Sequence, residues 1–302
     1  MLRKRGAARP PAGRDGETMP ALIIHGGAGR ARTRSGRASI RSSLARIAEC
    51  AWVRVLDGAG AVEVAVEAAR QLEDDPLFNA GTGSKLQSDG AARLSAALMD
   101  GEHERFSGVI NVEGLLNPIL LCQHLQTQRD RVLAGKGALE EAQRIGLMEG
   151  NVITEKARSN WRNAIDGKTG TIGVVVRDQA GHIAAATSTG GRGMEAVGRV
   201  SDSATVAGNF ASSSAGASCT GIGEDIVDGA LATRLVAAVD AGMPLTEAAK
   251  ILESKMRDRR WKAGVISLDE RDQWSAIHTT EVMYWTAADL RGIHQFSFPD
   301  LP

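Results

Sequence analysis

The stretch Gly170-Thr171-Ile172-Gly173-Val174-Val175-Val176 places a threonine at the head of an apolar strand, directly behind a glycine that ends a polar segment. A threonine hydroxyl within a chain is a poor nucleophile. If the chain is cut before it, the freed α-amine can act as general base for that hydroxyl. Such an amine has a pKa of about 7.7–8.0, so it is substantially neutral near physiological pH without heavy tuning. Three downstream groups suit the same acyl-transfer chemistry: Ala186-Thr187-Ser188-Thr189-Gly190-Gly191, Gly198-Arg199-Val200-Ser201-Asp202 and Cys219-Thr220-Gly221-Ile222-Gly223-Glu224. Thr189, one hairpin away, can hydrogen-bond the nucleophile's hydroxyl. Thr220 Oγ and the Gly221 N–H can form an oxyanion hole, the glycine letting backbone come close. Arg199 and Asp202 can grip a molecule with one free carboxylate and one free ammonium, the guanidinium bidentate. Singly, these threonines read as β-formers and the Arg/Asp pair as a surface ion pair. As an ordered set their parts fit one chemistry.

Other chemistries are poorly represented. His25-Gly26-Gly27-Ala28-Gly29 lacks the spacings of phosphate-binding loops and reads better as a turn where glycine permits close backbone approach. The six histidines never fall at HxxxH spacing or near a cysteine pair, which argues against a catalytic zinc. There is no GxSxG elbow. Cys50, Cys122 and Cys219 are odd in number and widely spaced, as in a reduced cytoplasmic protein without a disulfide framework. The formal net charge is zero, so no nucleic acid or anionic membrane is called for as partner, and no apolar run approaches a membrane span.

The elements that must position these groups are legible in outline. Across 302 residues the core must rest on Ala, Val, Leu and Ile, because aromatics are only 4%. Residues 1–18, rich in Arg, Gly and Pro without an apolar h-region, read as a disordered tail or a start site placed upstream of Met19. Residues 19–302 then form a single domain. Ala21–Ile24 reads as a strand running into the 25–29 turn, and 30–39 as a loop. Helices are expected over about 40–57 and 61–74, the second stopping at Pro76. A loop over 80–92 precedes strands at 93–99 and 105–112. Asn117-Pro118 opens a helix to about 127. Residues 150–170 read as an exposed linker, and 171–177 with 182–188 as a strand–turn–strand unit. One helix over about 226–242, another capped at Thr246-Glu247, and strands at 264–269 and 273–278 complete the pattern. Strand pairs and helix pairs in blocks suggest antiparallel sheets with helices outside, an α+β fold.

Several segments, in order and at matching spacing, resemble the plant-type asparaginase/isoaspartyl peptidase family of N-terminal nucleophile hydrolases. They are Ile24 through Gly29, Pro76-Leu77-Phe78-Asn79-Ala80-Gly81, Met99-Asp100-Gly101, Gly170 through Gly173, Ala184 through Gly191, Gly198 through Asp202 and Thr220 through Glu224. The resemblance implies a four-layer αββα sandwich made as a precursor. Attack of Thr171 on the Gly170 carbonyl would divide it into an α chain 19–170 and a β chain 171–302, and two αβ units would pair. It implies Thr171 as nucleophile and amine base, Thr189 as its hydroxyl partner, and Thr220 with Gly221 as oxyanion donors. Arg199, Asp202 and Gly223 would bind the substrate's α-carboxylate and α-ammonium, with Asn79 supporting the junction. It implies no cofactor for catalysis, and a structural sodium ion on backbone carbonyls of Leu72, Glu73, Asp75, Phe78, Ala80 and Thr82. The implied substrates are β-aspartyl dipeptides and L-asparagine. The alternatives are a glycosylasparaginase-like hydrolase and an uncleaved homologue with a binding role. Departures from the pattern include Arg192 between the glycine pair and Arg199, and Arg259-Arg260-Trp261-Lys262 where a glycine-rich run is usual.

Overall fold

The structure, a computed structural model, describes residues 19–163 and 170–296, so the expectations for the tail 1–18 and for 164–169 lie outside the described residues. Two antiparallel-dominated sheets pack face to face, with helices over both outer faces: the four-layer αββα order. β5 (Ile172–Arg177), the strand that follows Thr171, shows how the sequence builds this. Its side chains alternate. Ile172, Val174 and Val176 enter the core beneath the helices, whereas Val175 enters the core between the sheets. A strand covered on both faces must be apolar at every position, hence the continuous run. Burying each such valine contributes roughly 1.5–3 kcal/mol.

The first sheet has eight strands, with β5 between β1 (Ala21–Gly29) and β6 (Ile183–Thr189) at its centre. β2 (Leu94–Asp100), β3 (Arg105–Val112) and β4 (Val132–Ala134) extend it beyond β6. The second sheet has the order β10-β9-β8-β7, with β7 Asn209–Ala211, β8 Ala215–Gly221, β9 Ala263–Asp269 and β10 Trp274–His278. β11 (Val282–Asp289) and β12 (Gly292–Gln295) return to the far edge of the first sheet. α1 (Arg34–Leu56), α2 (Ala61–Asp74) and α3 (Pro118–Leu125) carry side chains into the core over the first sheet. α4 (Gly135–Arg144) and α5 (Glu155–Arg162) add to that layer. α6 (Gly223–Gly229), α7 (Leu231–Asp240) and α8 (Leu245–Asp258) cover the second sheet. Among the described residues no helix is long and apolar enough to cross a membrane.

Several local expectations need correction. His25–Gly29 is no turn: it continues β1 through a bulge between His25 and Ala28. Residues 30–39 are not all loop, because Thr33 Oγ1 accepts the Gly36 N–H and starts α1 at Arg34; an exposed Arg/Ser first turn hides its helical period. The linker expected over 150–170 contains α5, opened by Thr154 Oγ1 accepting the Ala157 N–H at 3.1 Å. The single helix over 226–242 is two, broken at Ala230, whose φ is +46°. Asn117 and Thr246 do not cap by side chain; Asn117 instead donates to Asp74 across the α2–α3 contact, at 2.9 Å. β7 and β8 escape sequence reading because their Ala, Ser and Gly carry little strand signal.

Candidate active site

Thr171 stands one residue before β5, and the β5–β6 register sets Ile172 opposite Ser188, which brings Thr189 beside it. Thr171 Oγ1 donates to Thr189 Oγ1 at 3.2 Å, and Thr189 Oγ1 also accepts the Gly191 N–H at 3.1 Å. Both hydroxyls are buried at the floor of a cleft of about 470 Å³, a volume in the range of small-molecule sites. Gly170 lines the same cleft. Gly27, with φ +107°, lies against it: a Cβ there would stand 2.9 Å from the Gly170 carbonyl oxygen. The glycine-rich bulge of β1 therefore serves close backbone approach to the Gly170–Thr171 junction.

The second sheet supplies the opposite wall. Thr220, at the end of β8, is fully buried, and its Oγ1 accepts the Ala28 N–H at 3.2 Å, pinning β8 to the β1 bulge. Gly221 and Gly223 follow it onto the cleft wall. The loop after β6 brings in Arg199, and Asp202 opens a short 3₁₀ turn. The two do not pair with each other as a surface ion pair would. Arg199 instead forks onto Glu224, Nε to Oε1 and Nη2 to Oε2, each at 3.0 Å. Gly223 makes room for this, since a Cβ there would lie 2.5 Å from Arg199 Nη2 and 2.9 Å from Asp202 Oδ1. The fork holds Glu224 below the usual carboxylate range and leaves the outer edge of the guanidinium for another carboxylate.

Asp202 is 2% exposed, and burial raises its pKa to about 7, against the pull of Ser201 and Arg199. Ser201 Oγ donates to Oδ1 at 3.0 Å, while Oδ2 has no hydrogen-bond partner among the described residues. Because the folded value lies above the ordinary 3.8, ionising Asp202 in the empty site costs stability as pH rises from about 4 through 7. A cation bound there offsets that cost. Asn79 lies behind the Gly170 junction. Its Nδ2 donates to the Gly191 carbonyl at 2.7 Å and its Oδ1 accepts the Lys85 N–H at 2.8 Å, tying the loop after α2 to the loop after β6.

The structure thus brings Thr171, Thr189, Arg199, Asp202, Gly221 and Gly223 to one cleft, with Thr220 and Asn79 immediately behind. Sequence reading missed a buried polar network beneath it. His25 Nδ1 accepts the Gly27 N–H at 3.3 Å, so Nε2 carries the proton beside Ser218 Oγ, 3.2 Å away. Burial holds this imidazole neutral, with its pKa down at about 3. Ser218 meets Thr187 Oγ1 at 2.6 Å, and Thr187 donates to Asn209 Oδ1 at 2.9 Å. Glu73 of α2, pushed up to about 8 by burial, accepts from Ser188 Oγ at 2.6 Å next to Thr189. Such fully buried polar links rigidify what they join. Their only sequence signal is polar residues at inward positions of strands and, for Glu73, of a helix.

An αββα sandwich with a threonine hydroxyl in a cleft at the head of a central strand is the architecture of the N-terminal nucleophile class of hydrolases. The sequence model described as Asparaginase matches residues 18–169 and 162–297. The chain is 42% identical over 271 residues to the isoaspartyl peptidase/L-asparaginase of Synechocystis sp., covering 83% of this chain and 82% of that protein. It is 31% identical over 298 residues to the Homo sapiens protein of the same name, covering 93% and 97%. It is also 33% identical over 280 residues to the plant-type L-asparaginase of Pyrococcus abyssi, covering 84% and 91%. The chain belongs to the asparaginase family.

Proposed function

We propose that this chain is a self-processing amidohydrolase that cleaves the β-amide bond of L-aspartyl compounds, an isoaspartyl dipeptidase with L-asparaginase activity. The observation that carries the reading is the convergence, in one cleft, of Thr171 and Thr189 with the Arg199–Asp202 pair. Arg199 takes the α-carboxylate on the free edge of its guanidinium, and Asp202 takes the α-ammonium. The β-carbonyl then meets Thr171 Oγ. Intramolecular attack of Thr171 on the Gly170 carbonyl, followed by hydrolysis, frees the amine that the mature enzyme uses as base. That amine deprotonates Oγ, a tetrahedral intermediate forms with its oxyanion toward Thr220 and Gly221, and the same amine delivers a proton to the departing nitrogen. Water, activated by the amine, releases aspartate from the β-aspartyl ester. Purified protein should resolve on a denaturing gel into chains ending at Gly170 and starting at Thr171. It should then hydrolyse both L-asparagine and β-aspartyl-leucine. An intact chain after prolonged incubation, inert toward both, would overturn the proposal.

Asp202 must be ionised to hold an ammonium. Affinity for L-aspartate, measured calorimetrically, should therefore rise between pH 5 and pH 7 and lose that rise in Asp202→Asn. A pH-independent wild-type affinity would remove Asp202 from the ammonium site.

Two backbone features support a sodium ion in the loop from Leu72 to Thr82. The Leu72 carbonyl ends α2 opposite Pro76, which has no N–H to offer it. The loop doubles back so that Thr82 N–H reaches the Glu73 carbonyl at 2.7 Å. Backbone oxygens of Leu72, Glu73, Asp75, Phe78, Ala80 and Thr82 would hold the ion and stiffen the loop that carries Asn79; it takes no part in the chemistry. Replacing sodium by tetramethylammonium should lower the melting temperature, and an unchanged value would dismiss the ion. Exposed Val197, Val200, Val206, Ile222 and Val227 lie on the 3₁₀ turn, α6 and their flanks, which supports pairing of two αβ units through this side. Buried Cys122 and Cys219 and exposed Cys50, all free thiols, support a cytoplasmic location.

A further inference from the structure

The aspartyl grip accounts for the floor of the cleft and leaves its rim unexplained. Arg30, Arg192 and Lys262 line the mouth, are exposed, and make no ion pair among the described residues. They come from three separate segments: the end of β1, the loop after β6 and the turn before β9. The other cation on this side, Lys85, has its Nζ on the Arg192 carbonyl at 2.9 Å. Of the residues lining the cleft, Glu281 is the one rim carboxylate; behind the rim, Asp225 Oδ2 accepts the Lys262 N–H at 2.8 Å, Glu195 Oε1 accepts the Arg192 N–H at 3.1 Å, and Glu224 is forked by Arg199. Among the lining residues five cations, Arg30, Lys85, Arg192, Arg199 and Lys262, face two carboxylates, Asp202 and Glu281, an excess of positive charge in a chain whose formal net charge is zero. It does not serve the acyl half. That half has to reach Asp202 and Thr171, both nearly inaccessible at the floor, so whatever is attached to the β-carbonyl projects outward past the rim.

Resting on the proposed β-aspartyl hydrolase reading, we infer that the rim formed by Arg30, Arg192 and Lys262 selects β-aspartyl dipeptides whose leaving residue carries a second carboxylate. Every leaving amino acid has an α-carboxylate for these cations to attract. An acidic side chain adds another, and a lysine side chain subtracts. Ammonia, lost from asparagine, gains nothing from the rim. The attraction acts across partly solvated space, so it is graded and salt-sensitive. A cleft in which one sign of charge predominates can raise local substrate concentration by about tenfold at low ionic strength.

The test compares kcat/KM for β-aspartyl-glutamate, β-aspartyl-leucine and β-aspartyl-lysine at low salt and in 1 M salt, where the Debye length is about 3 Å. The expected order is glutamate over leucine over lysine, spread about tenfold at low salt and compressed at high salt. In the doubly reversed variant Arg192→Glu/Lys262→Glu the order should invert. Equal rates for the three, a preference for lysine, or an order untouched by salt and by charge reversal would overturn the inference while leaving the amidohydrolase in place. Cleavage of none of the three dipeptides by fully processed protein would overturn both.

Discussion

Thr171→Ala should remain a single uncut chain and hydrolyse no β-aspartyl compound. On the proposed mechanism one hydroxyl serves two reactions: in the precursor Thr171 Oγ would add to the Gly170 carbonyl, and in the mature enzyme the same oxygen would add to the substrate's β-carbonyl. Removing it leaves Thr189 Oγ1, 3.2 Å from the vacated position, with neither an adjacent α-amine nor a connected carbonyl to attack. Loss of a hydrolase nucleophile costs on the order of 10⁶ in kcat, and here the amine base also stays locked in the peptide bond. A denaturing gel and a β-aspartyl-leucine assay read the two effects separately. A variant that is still cut at Gly170–Thr171 would show that the nucleophile of processing is another group. Thr171→Ser, which keeps the hydroxyl, should retain both reactions at reduced rate.

Arg199→Ala should be processed normally yet lose most of its kcat/KM toward every aspartyl substrate. Self-cleavage involves no free carboxylate or ammonium, so the precursor does not need the grip. Turnover does, and stranding a desolvated carboxylate costs about 2–5 kcal/mol, which is roughly 30- to 5,000-fold in kcat/KM. The structure adds a second consequence. Arg199 is the cation that lowers both Glu224 and Asp202, whereas Glu224 raises Asp202. Without the guanidinium, Glu224 keeps only the weaker pull of Arg192 near an already elevated Asp202, so the acid limb of the kcat/KM profile should move to higher pH. Unchanged kinetics would remove Arg199 from substrate binding. A large loss with an unmoved acid limb would separate Arg199 from Asp202.

The elements that carry the site were largely legible because β5 and the first half of β6 are apolar runs around a clear Asp178–Gly181 turn, and such runs need no tertiary information to stand out. α2 ended where Pro76 required. The misreadings share a different cause. β8 is Ala-Gly-Ala-Ser-Cys-Thr-Gly, small residues that pass between closely packed layers, and its strand character comes from pairing with β7 and β9 rather than from propensity. The His25–Gly29 segment looked like a turn because glycine is common in turns; here it is a strand bulge held by Thr220 from the other sheet, a contact 192 residues away in sequence. Local pattern cannot encode a partner so distant.

The linear sequence alone singled out the candidate reactive group and the class of chemistry proposed for it. A threonine after a glycine at the head of an apolar strand, followed by the Arg/Asp and Thr-Gly groups, limits the reaction because the atoms required are covalent properties of those residues. What only the tertiary structure decided is their electrostatic state and company. Asp202 rises to about 7 because the fold buries it, Arg199 meets Glu224 instead of Asp202, and His25 is neutral because two sheets close over it. The cationic rim gathers from three separate segments only when β1 and β6 end, and β9 begins, at the same mouth. Burial and long-range juxtaposition are properties of the packed chain, and no stretch of sequence possesses them by itself.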